Sequence, residues 1–530
     1  MDYINETNIN NTLLYFVFGF GDGSIIQKFL NNSSSWVKFV VFEPDLTTFM
    51  QHYNEDEMES MLSDGRLTLV IKEDESKDEL TPILNTAIQP YNAKHIKSII
   101  LPEYSAKYAD EYNKINNELV KIAKERISSS AGMKLHAEVP CKNELYALST
   151  LSDNAGCKAL FDALEDKNIP IIIVAAGPSL DKNVFELKRA YNKALIISVS
   201  RAAILLNNKG IKADLIAQLD PQSYGFLDFD EKNENRILIS SKGDIEVQKQ
   251  YRGKCIYYDF SGDLTGNCPA LEEIPVIEEH GGSVATYICS LFLESGFKNI
   301  ILVGQDLAFS ENNETHAGGD SRIKGSTEVV AEVPGINGNM VKTRHDWLAF
   351  INCFEAFTKK YSDATVIDAT EGGALIHGSR VMTLSDAIDT YCTKEYPIYE
   401  ILNNLKPIQT VAESNLLADD MFKIANSLSS IEDKIREFIS IGQRLLNEKN
   451  SVSLSEKQRY DSLYYEVLQS KTGNILIYYC EDFMQNYINY AVSFEASQNQ
   501  DAKINLEIET FSKMLEKIPE LRDYMLSIYG

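Results

Sequence analysis

The chain of 530 residues lacks most of the features that would assign it to a class at a glance. Its longest apolar runs, Leu13 to Phe20 and Ile171 to Ala176, fall far short of the roughly 18 residues a spanning helix needs, which argues against a helical membrane protein. The eight cysteines contain no CxxC pair and the seven histidines no HExxH or HxxxH spacing, so neither a structural zinc site nor a disulfide frame is expected. The thiols read as small core residues. Cationic side chains are scarce as well: 51 Lys plus Arg face 77 Asp plus Glu, a net charge of -26. Such a chain repels a phosphate backbone, which argues against a nucleic-acid partner. Any anionic ligand must then be held by helix N-termini or a few basic side chains acting against the global field. The opening MDYINETNINN lacks the basic and apolar segments of a signal peptide, so a cytoplasmic protein is expected. No internal repeat or low-complexity tract is present.

The remainder of the composition is ordinary. It is 44% apolar and 24% charged, close to globular averages, and at about 150 residues per domain the length predicts three or four folded units. Three regimes follow along the chain. Residues 1–135 alternate apolar runs (LLYFVFGF, VKFVVFEP, LTLVI, KSIILP) with polar helical stretches, the pattern of a Rossmann-like α/β domain. Its acidic run between Asn54 and Glu79 reads as a solvated helix face and loop rather than a recognition surface.

Residues 136–395 give cleaner strands at Ile169–Ala175, Ala194–Val199, Asp214–Leu219, Arg236–Ile239, Cys255–Tyr258, Asn299–Val303 and Thr365–Ile367. Helical connectors between several of them predict a doubly wound α/β sheet, with ligands at its carboxyl strand ends. Residues 396–530 hold three glycines, and their apolar residues step by three and four through Ile424, Leu428, Ile431, Ile435 and Phe438. That periodicity predicts an all-α bundle. Its Tyr-rich segment (Tyr464, Tyr465, Tyr478, Tyr479, Tyr487, Tyr490) reads as packing between helices, with an aromatic partner-binding face as the alternative.

Two Gly-rich turns follow strands. Gly19-Phe20-Gly21-Asp22-Gly23, with Glu43-Pro44-Asp45 at the end of the next strand, resembles the nucleotide loop of Rossmann-like methyltransferases. It reads rather as a tight turn without a ligand, with a nucleotide loop as the alternative. The second turn, Gly177-Pro178-Ser179, leads into a helical spacing over Val184–Ala190. Gly177 leaves room for a phosphate, Pro178 suits a first helical turn, and Ser179 sets a hydroxyl beside unpaired N–H groups. No GK[ST] follows, so this is no P-loop. Further polar residues end successive strands: Ser200-Arg201, Asp220-Pro221, Gly304-Gln305-Asp306, and Asp368 to Gly373. Gly281-Gly282-Ser283 opens a helix predicted over Val284–Glu294.

The segments GPSLDKN, LIISVSRAAILLNNKGIKADLIAQLDPQ, HGGSVATYICSLFLESGFKNIILVGQDLAFSENNETHAGG and DATEGGALIHGS resemble the motility accessory factor (Maf) flagellin glycosyltransferases, over roughly residues 140–390. The resemblance implies a central domain akin to bacterial sialyltransferases. It further implies transfer of a nonulosonic acid, of the pseudaminic or legionaminic type, from its CMP-activated form to Ser or Thr hydroxyls of flagellin in the cytoplasm, as flagellum assembly and motility require. The donor would be the CMP-sugar, with no further cofactor or metal, and the helical bundle would bind flagellin. The core motif is shared with archaeal enzymes that pyrophosphorylate hydroxymethylpterin, so a pterin pyrophosphokinase remains open, as does a non-catalytic flagellin-binding adaptor.

For an inverting transfer, nucleotide-sugar contacts are expected at Gly177, Pro178, Ser179, Ser200, Gly282, Ser283, Thr370 and Gly372. Asp220 and Asp306 fall at the sugar or ribose hydroxyls by the resemblance, and Arg201 is a candidate charge partner, with a surface arginine at a helix start as the equal alternative. The base should titrate near neutrality and be reachable by a protein acceptor. His316, His345 and Glu371 are the candidates, in that order, while His280 and His377 read as structural.

Overall fold

The computed structural model describes residues 12–33, 37–52, 61–72, 80–88, 92–93, 95–133, 138–222, 235–260, 264, 271, 274, 281–310, 315–317, 331–448, 451–481, 484, 487 and 500–530. The chain divides into two compact units, one of residues 1–138 with 426–522 and the other of 139–425 with 523–530.

In the first unit β1 (Leu14–Phe18), β2 (Lys38–Glu43), β3 (Leu67–Ile71) and β4 (Ile96–Ile100) form a parallel sheet in the order β3-β2-β1-β4. All five residues of β1 are buried, as befits a parallel strand covered on both faces. The helix Ser24–Asn32 buries Ile26, Phe29 and Leu30, whose spacing makes one apolar stripe, and Phe29 lies 5.4 Å from the ring of Tyr15. Most of the acidic run from Asn54 to Glu79 lies outside the described residues.

The helical part of this unit is built from residues 426–447 of the helix Val411–Asn447, the helices Leu454–Leu468 and Lys471–Tyr479, and residues 500–522 of the helix Gln500–Tyr529. Leu428, Ile431, Ile435 and Phe438 are buried, at the helix period read in the sequence. Phe438 stacks on Tyr460 at 4.1 Å and lies 4.6 Å from Phe511. The hydroxyls of Tyr460 and Tyr487 donate to the buried carboxylate of Glu507 at 2.6 and 3.2 Å, and burial pushes that carboxyl above its usual range. Tyr460, Tyr478, Tyr479 and Tyr487 are thus core residues and Tyr465 is exposed; Tyr490 lies outside the described residues.

The second unit carries β5 (Ala155–Gly156), β6 (Ile171–Val174), β7 (Leu195–Val199), β8 (Leu215–Gln218), β9 (Arg236–Ser240), β10 (Cys255–Tyr258), β11 (Asn299–Val303), β14 (Thr365–Asp368) and β15 (Arg380–Val381) in one sheet, ordered β15-β14-β11-β6-β7-β8-β9-β10-β5. Every pairing in it is parallel. The chain builds outward from β6 to β10 on one side and returns with β11 on the other, so the strand order reverses between β6 and β11. Both strands are buried almost throughout, which is why each reads as an uninterrupted apolar run; each Ile so buried contributes about 1.5–3 kcal/mol.

Two local differences from the sequence reading have clear causes. Val184–Ala190 is a 3-10 helix, and its buried residues Val184, Leu187 and Ala190 recur every three positions, the period of that helix. An antiparallel hairpin, β12 (Ala331–Pro334) with β13 (Met340–Thr343), stands where no strand is expected. Among the described residues, no helix is long and apolar enough to cross a membrane, and Cys141, Cys157, Cys255, Cys289, Cys392 and Cys480 are buried and form no disulfide.

Phe438→Ala removes the ring that both Tyr460 and Phe511 pack against, so the unit's urea transition should lose about 3–5 kcal/mol. A loss below about 1 kcal/mol would place the helical core elsewhere.

Candidate functional site

Parallel α/β sheets bind ligands outside the carboxyl strand ends where the strand order reverses, and each sheet has one such point. In the first unit it lies between β1 and β4, beside the Gly19–Gly23 loop. That crevice is occupied by the chain itself. A Cβ on Gly19 would lie 2.4 Å from the Tyr104 ring. The Tyr104 hydroxyl donates to Glu43 Oε2 at 2.6 Å and accepts from Gly21 N–H at 3.1 Å. Glu43, at the end of β2, is fully buried and takes the N–H of Phe20 at 2.9 Å. The loop's donors and its acid thus serve an internal phenol, and burial pushes the Tyr104 hydroxyl well above its usual range.

The second crevice, between β6 and β11, is built around Asp306. Ser179 N–H donates to Asp306 Oδ1 at 3.2 Å and Ser179 Oγ donates to Oδ2 at 2.7 Å. A Cβ on Gly177 would lie 2.0 Å from Asp306 Oδ2, and one on Gly373 would lie 2.1 Å from the Asp306 carbonyl oxygen. Glycine is therefore obligatory at both positions. The Gly177–Ser179 turn, expected to offer its donors to a phosphate, uses them to hold Asp306.

Asp368, at the end of β14, adds a second carboxyl. Its Oδ1 accepts the Thr370 N–H at 3.1 Å, while Oδ2 is buried without a partner among the described residues. Burial, with the neighbouring charge of Asp306 in support, pushes this carboxyl up to about 6. Burial also raises Asp306, against the opposing hydrogen bonds from Ser179. Gln305 Oε1 and Asn183 Oδ1 are likewise buried without partners. These atoms are all acceptors, so the crevice wall is chemically prepared for ligand donor groups.

Cations stand at its rim. Lys182 Nζ donates to the Glu371 carbonyl at 3.2 Å. Arg201, in the first turn of the helix Ser200–Asn208, meets His316 Nε2 at 2.7 Å. Neither Lys182 nor Arg201 forms an ion pair among the described residues. The Ala317 N–H donates to the Ala176 carbonyl at 2.9 Å, fastening the His316 segment to the end of β6.

Other expected residues have different employment. Glu371, at a φ of 63°, accepts from Asn183 Nδ2 at 3.0 Å and from the N–H of Leu384 at 2.9 Å; its carboxylate anchors the start of the helix Leu384–Tyr391. Thr370 Oγ1 accepts the Gln305 N–H at 3.3 Å. A Cβ on Gly372 would lie 3.1 Å from Ser179 Cβ, so this glycine packs on the same turn. Ser283 caps the helix Val284–Glu294, its Oγ accepting the Thr286 N–H at 3.1 Å, and Gly282 precedes it at a φ of 82°. Pro178 and Ser200 are half-buried at their turns and Asp220 is exposed at the end of β8. His345 is exposed at the first position of the helix His345–Lys360. His377 is bound to Glu355 through Nδ1 at 2.7 Å and its backbone N–H at 3.0 Å. His280 lies outside the described residues.

The structure thus brings Gly177, Ser179, Asp306, Thr370 and Gly372 into one cluster, with Arg201 and His316 paired at the end of β6. Sequence reasoning did not single out Lys182 or Asn183, although both stand in the quoted GPSLDKN, nor Asp368 as a buried acid. It also missed the hairpin, whose Asn337-Gly338 turn is a recognisable signal; the Leu375 N–H donates to the Pro334 carbonyl at 2.8 Å, tying the hairpin to the loop after β14. No group of three or more His, Cys, Asp or Glu among the described residues could hold a metal ion.

Asp368 yields a pH-dependent expectation. Its folded carboxyl titrates near 6 against about 3.9 when unfolded, so its favourable contribution is complete below about pH 4 and is lost as pH rises through 6. Above that, the native state holds a buried charge at a cost of order 1–3 kcal/mol. Asp368→Asn should therefore raise the thermal midpoint at pH 7.5, the gain shrinking to nothing near pH 4. Equal or lower stability of the variant at pH 7.5 would contradict the assignment.

Residues 142–312 match a family described as 6-hydroxymethylpterin diphosphokinase MptE-like. Among solved structures the chain is similar to the MAf glycosyltransferase from Magnetospirillum magneticum AMB-1, at 13% identity and a TM-score of 0.59, over 98% of this chain and 80% of that one. No curated protein matches the chain. The shared architecture is mixed α/β, with parallel sheets and many helices, and the likeness is one of fold.

Proposed function

We propose that the chain is an inverting glycosyltransferase that moves a nonulosonic acid, of the pseudaminic or legionaminic type, from its CMP-activated form to Ser or Thr hydroxyls of flagellin in the cytoplasm. The observation that carries this reading is the pairing of Arg201 with His316 at 2.7 Å beside the carboxyl end of β6. It sets a cation for a leaving phosphate and a base for a hydroxyl at one crevice of a fold similar to the MAf glycosyltransferase.

In this mechanism Arg201 and Lys182 receive the phosphate charge, which in a chain of net charge -26 is the task the global field makes hardest. Buried acceptors on Gln305 and Asp368 engage donor groups of the sugar or base. His316 takes the proton of the acceptor hydroxyl. The oxygen's electron pair forms the new bond at the anomeric carbon as the bond to phosphate breaks, and CMP leaves with that pair. With the leaving charge met by side chains, the transfer requires no metal. The helical segment serves acceptor recognition.

The MptE-like match over residues 142–312 favours a second reading, transfer of diphosphate from ATP to a hydroxymethylpterin, in which Mg²⁺ would accompany the nucleotide. Thermal shifts separate the two. CMP alone should raise the midpoint, and ATP with Mg²⁺ should not; the reverse would establish the pterin reading, and no shift with either would favour an adaptor. Co-expressed flagellin supplied with the activated sugar should gain the mass of the sugar residue. His316→Ala should lower that transfer by about 10²–10⁴-fold, and an unchanged flagellin mass with the wild-type protein would sink the reading.

A further inference from the structure

Among the described residues, four that are not glycine adopt the left-handed backbone region: Asn192, Asp259, Leu307 and Glu371. Asn and Asp enter it readily, because their short polar side chains bond nearby backbone groups. Leu and Glu do not, and such a conformation persists only where the surroundings impose it. These two follow the carboxyl ends of the adjacent strands β11 and β14, on the segments that meet at Asp306. Glu371 is held through its carboxylate by Asn183 and Leu384. Leu307, directly after Asp306 at a φ of 49°, has a side chain that can make no hydrogen bond, so its backbone must be held from outside.

The hairpin supplies the hold. Of the eight residues in β12 and β13, Thr343 alone is buried, and what it buries is a hydroxyl, donated from Oγ1 to the Leu307 carbonyl at 2.8 Å. Beside it, Phe309 N–H donates to the Lys342 carbonyl at 2.9 Å. The other end of the hairpin grips the loop after β14, where Ile336 N–H donates to the Gly373 carbonyl at 3.1 Å and Leu375 N–H to the Pro334 carbonyl at 2.8 Å. That loop in turn binds Asp306, through Ala374 N–H on its carbonyl at 2.8 Å. A hairpin this short has little stability of its own; its bonds join the two segments between which Asp306 is set.

We propose that Thr343 is a positioning residue: by holding the Leu307 carbonyl it keeps the left-handed turn after Asp306, and so aims the Asp306 carboxylate at Ser179 and fixes the wall of the crevice. Its effect on transfer rests on the reading of that crevice as a donor site. Its effect on Asp306 does not.

The test uses the full chain and three variants. Thr343→Val removes the donor, Thr343→Ser keeps it, and Thr343→Val with Leu307→Gly removes the need for it, because glycine adopts a positive φ freely; Leu307→Asn, which also tolerates that region, replaces Leu307→Gly if the latter does not fold. Hydrogen exchange followed by mass spectrometry reads residues 175–180, whose Ser179 N–H donates to Asp306, with the strand Arg236–Ser240 as control. Thr343→Val should speed exchange at 175–180 about tenfold, the size of one hydrogen bond removed, and leave the control unchanged, while Thr343→Ser should match the wild type. The double variant should regain slow exchange at 175–180 although loss of the buried Leu307 side chain lowers its thermal midpoint, a divergence that a merely structural role does not produce. Transfer to flagellin should follow the exchange, falling about ten- to hundredfold in Thr343→Val and recovering in the double variant. Unchanged exchange at 175–180 in Thr343→Val, equal acceleration in the control, or no recovery in a folded double variant would overturn the positioning role. Transfer by Thr343→Val at the wild-type rate would overturn its bearing on the reaction and leave the transferase reading intact. The expected exchange pattern in a protein that modifies no flagellin would uphold the placement of Asp306 and remove the transferase reading alone.

Discussion

The second unit depends on how closely three backbone segments converge at Asp306, its own among them. The turn after β6 comes so near that Gly177 has no room for a methyl group beside the carboxylate, and the loop after β14 presses Gly373 onto the Asp306 main chain. Cross-links hold the approach: Gly177 N–H donates to the Gly304 carbonyl at 2.7 Å and Ala374 N–H to the Asp306 carbonyl at 2.8 Å. Because the three segments end strands lying side by side, the order β14-β11-β6 converts sheet register into site geometry. A shift in any of these strands would displace Asp306, Ser179 and Asp368 together.

Charge is distributed to complement that geometry. The crevice interior holds two carboxyls raised by burial, and Lys182 and Arg201, which form no ion pair among the described residues, sit outside it, on the first turns that follow β6 and β7. An anion is thereby met at the rim by side chains long enough to reach out, while neutral donor groups meet the orphaned acceptors within. The division lets an acidic protein accept one phosphorylated small molecule without a basic surface, the kind of surface that would also attract nucleic acid.

Much of the fold was legible because buried parallel strands leave uninterrupted apolar runs: Cys255–Tyr258 and Asn299–Val303 are read to the residue. The helix Val284–Glu294 was equally legible, since Gly281-Gly282-Ser283 announces its cap. What escaped depends on partners distant in sequence. Ser179 gives its donors to Asp306, 127 positions away, and no local pattern displays that bond. Glu371 looks like a catalytic carboxylate until Asn183 and Leu384 are seen to hold it. Nor does a pass along the chain display that residues 426–522 share a unit with residues 1–138. Lys182 was in view throughout, but that it forms no ion pair among the described residues is noticed only once the surrounding ion pairs are known.

The phenol of Tyr104 in the first crevice bears on how that unit survives in a cell. A domain that binds a diffusible nucleotide gains stability in proportion to the logarithm of its concentration, so its folding follows the metabolic state. Here the occupant is covalently part of the chain, bound at 2.6 Å to Glu43 and present at a constant effective concentration. The Gly19–Gly23 loop, buried but for Asp22, is thus ordered by a partner within the chain, whether nucleotide is abundant or scarce.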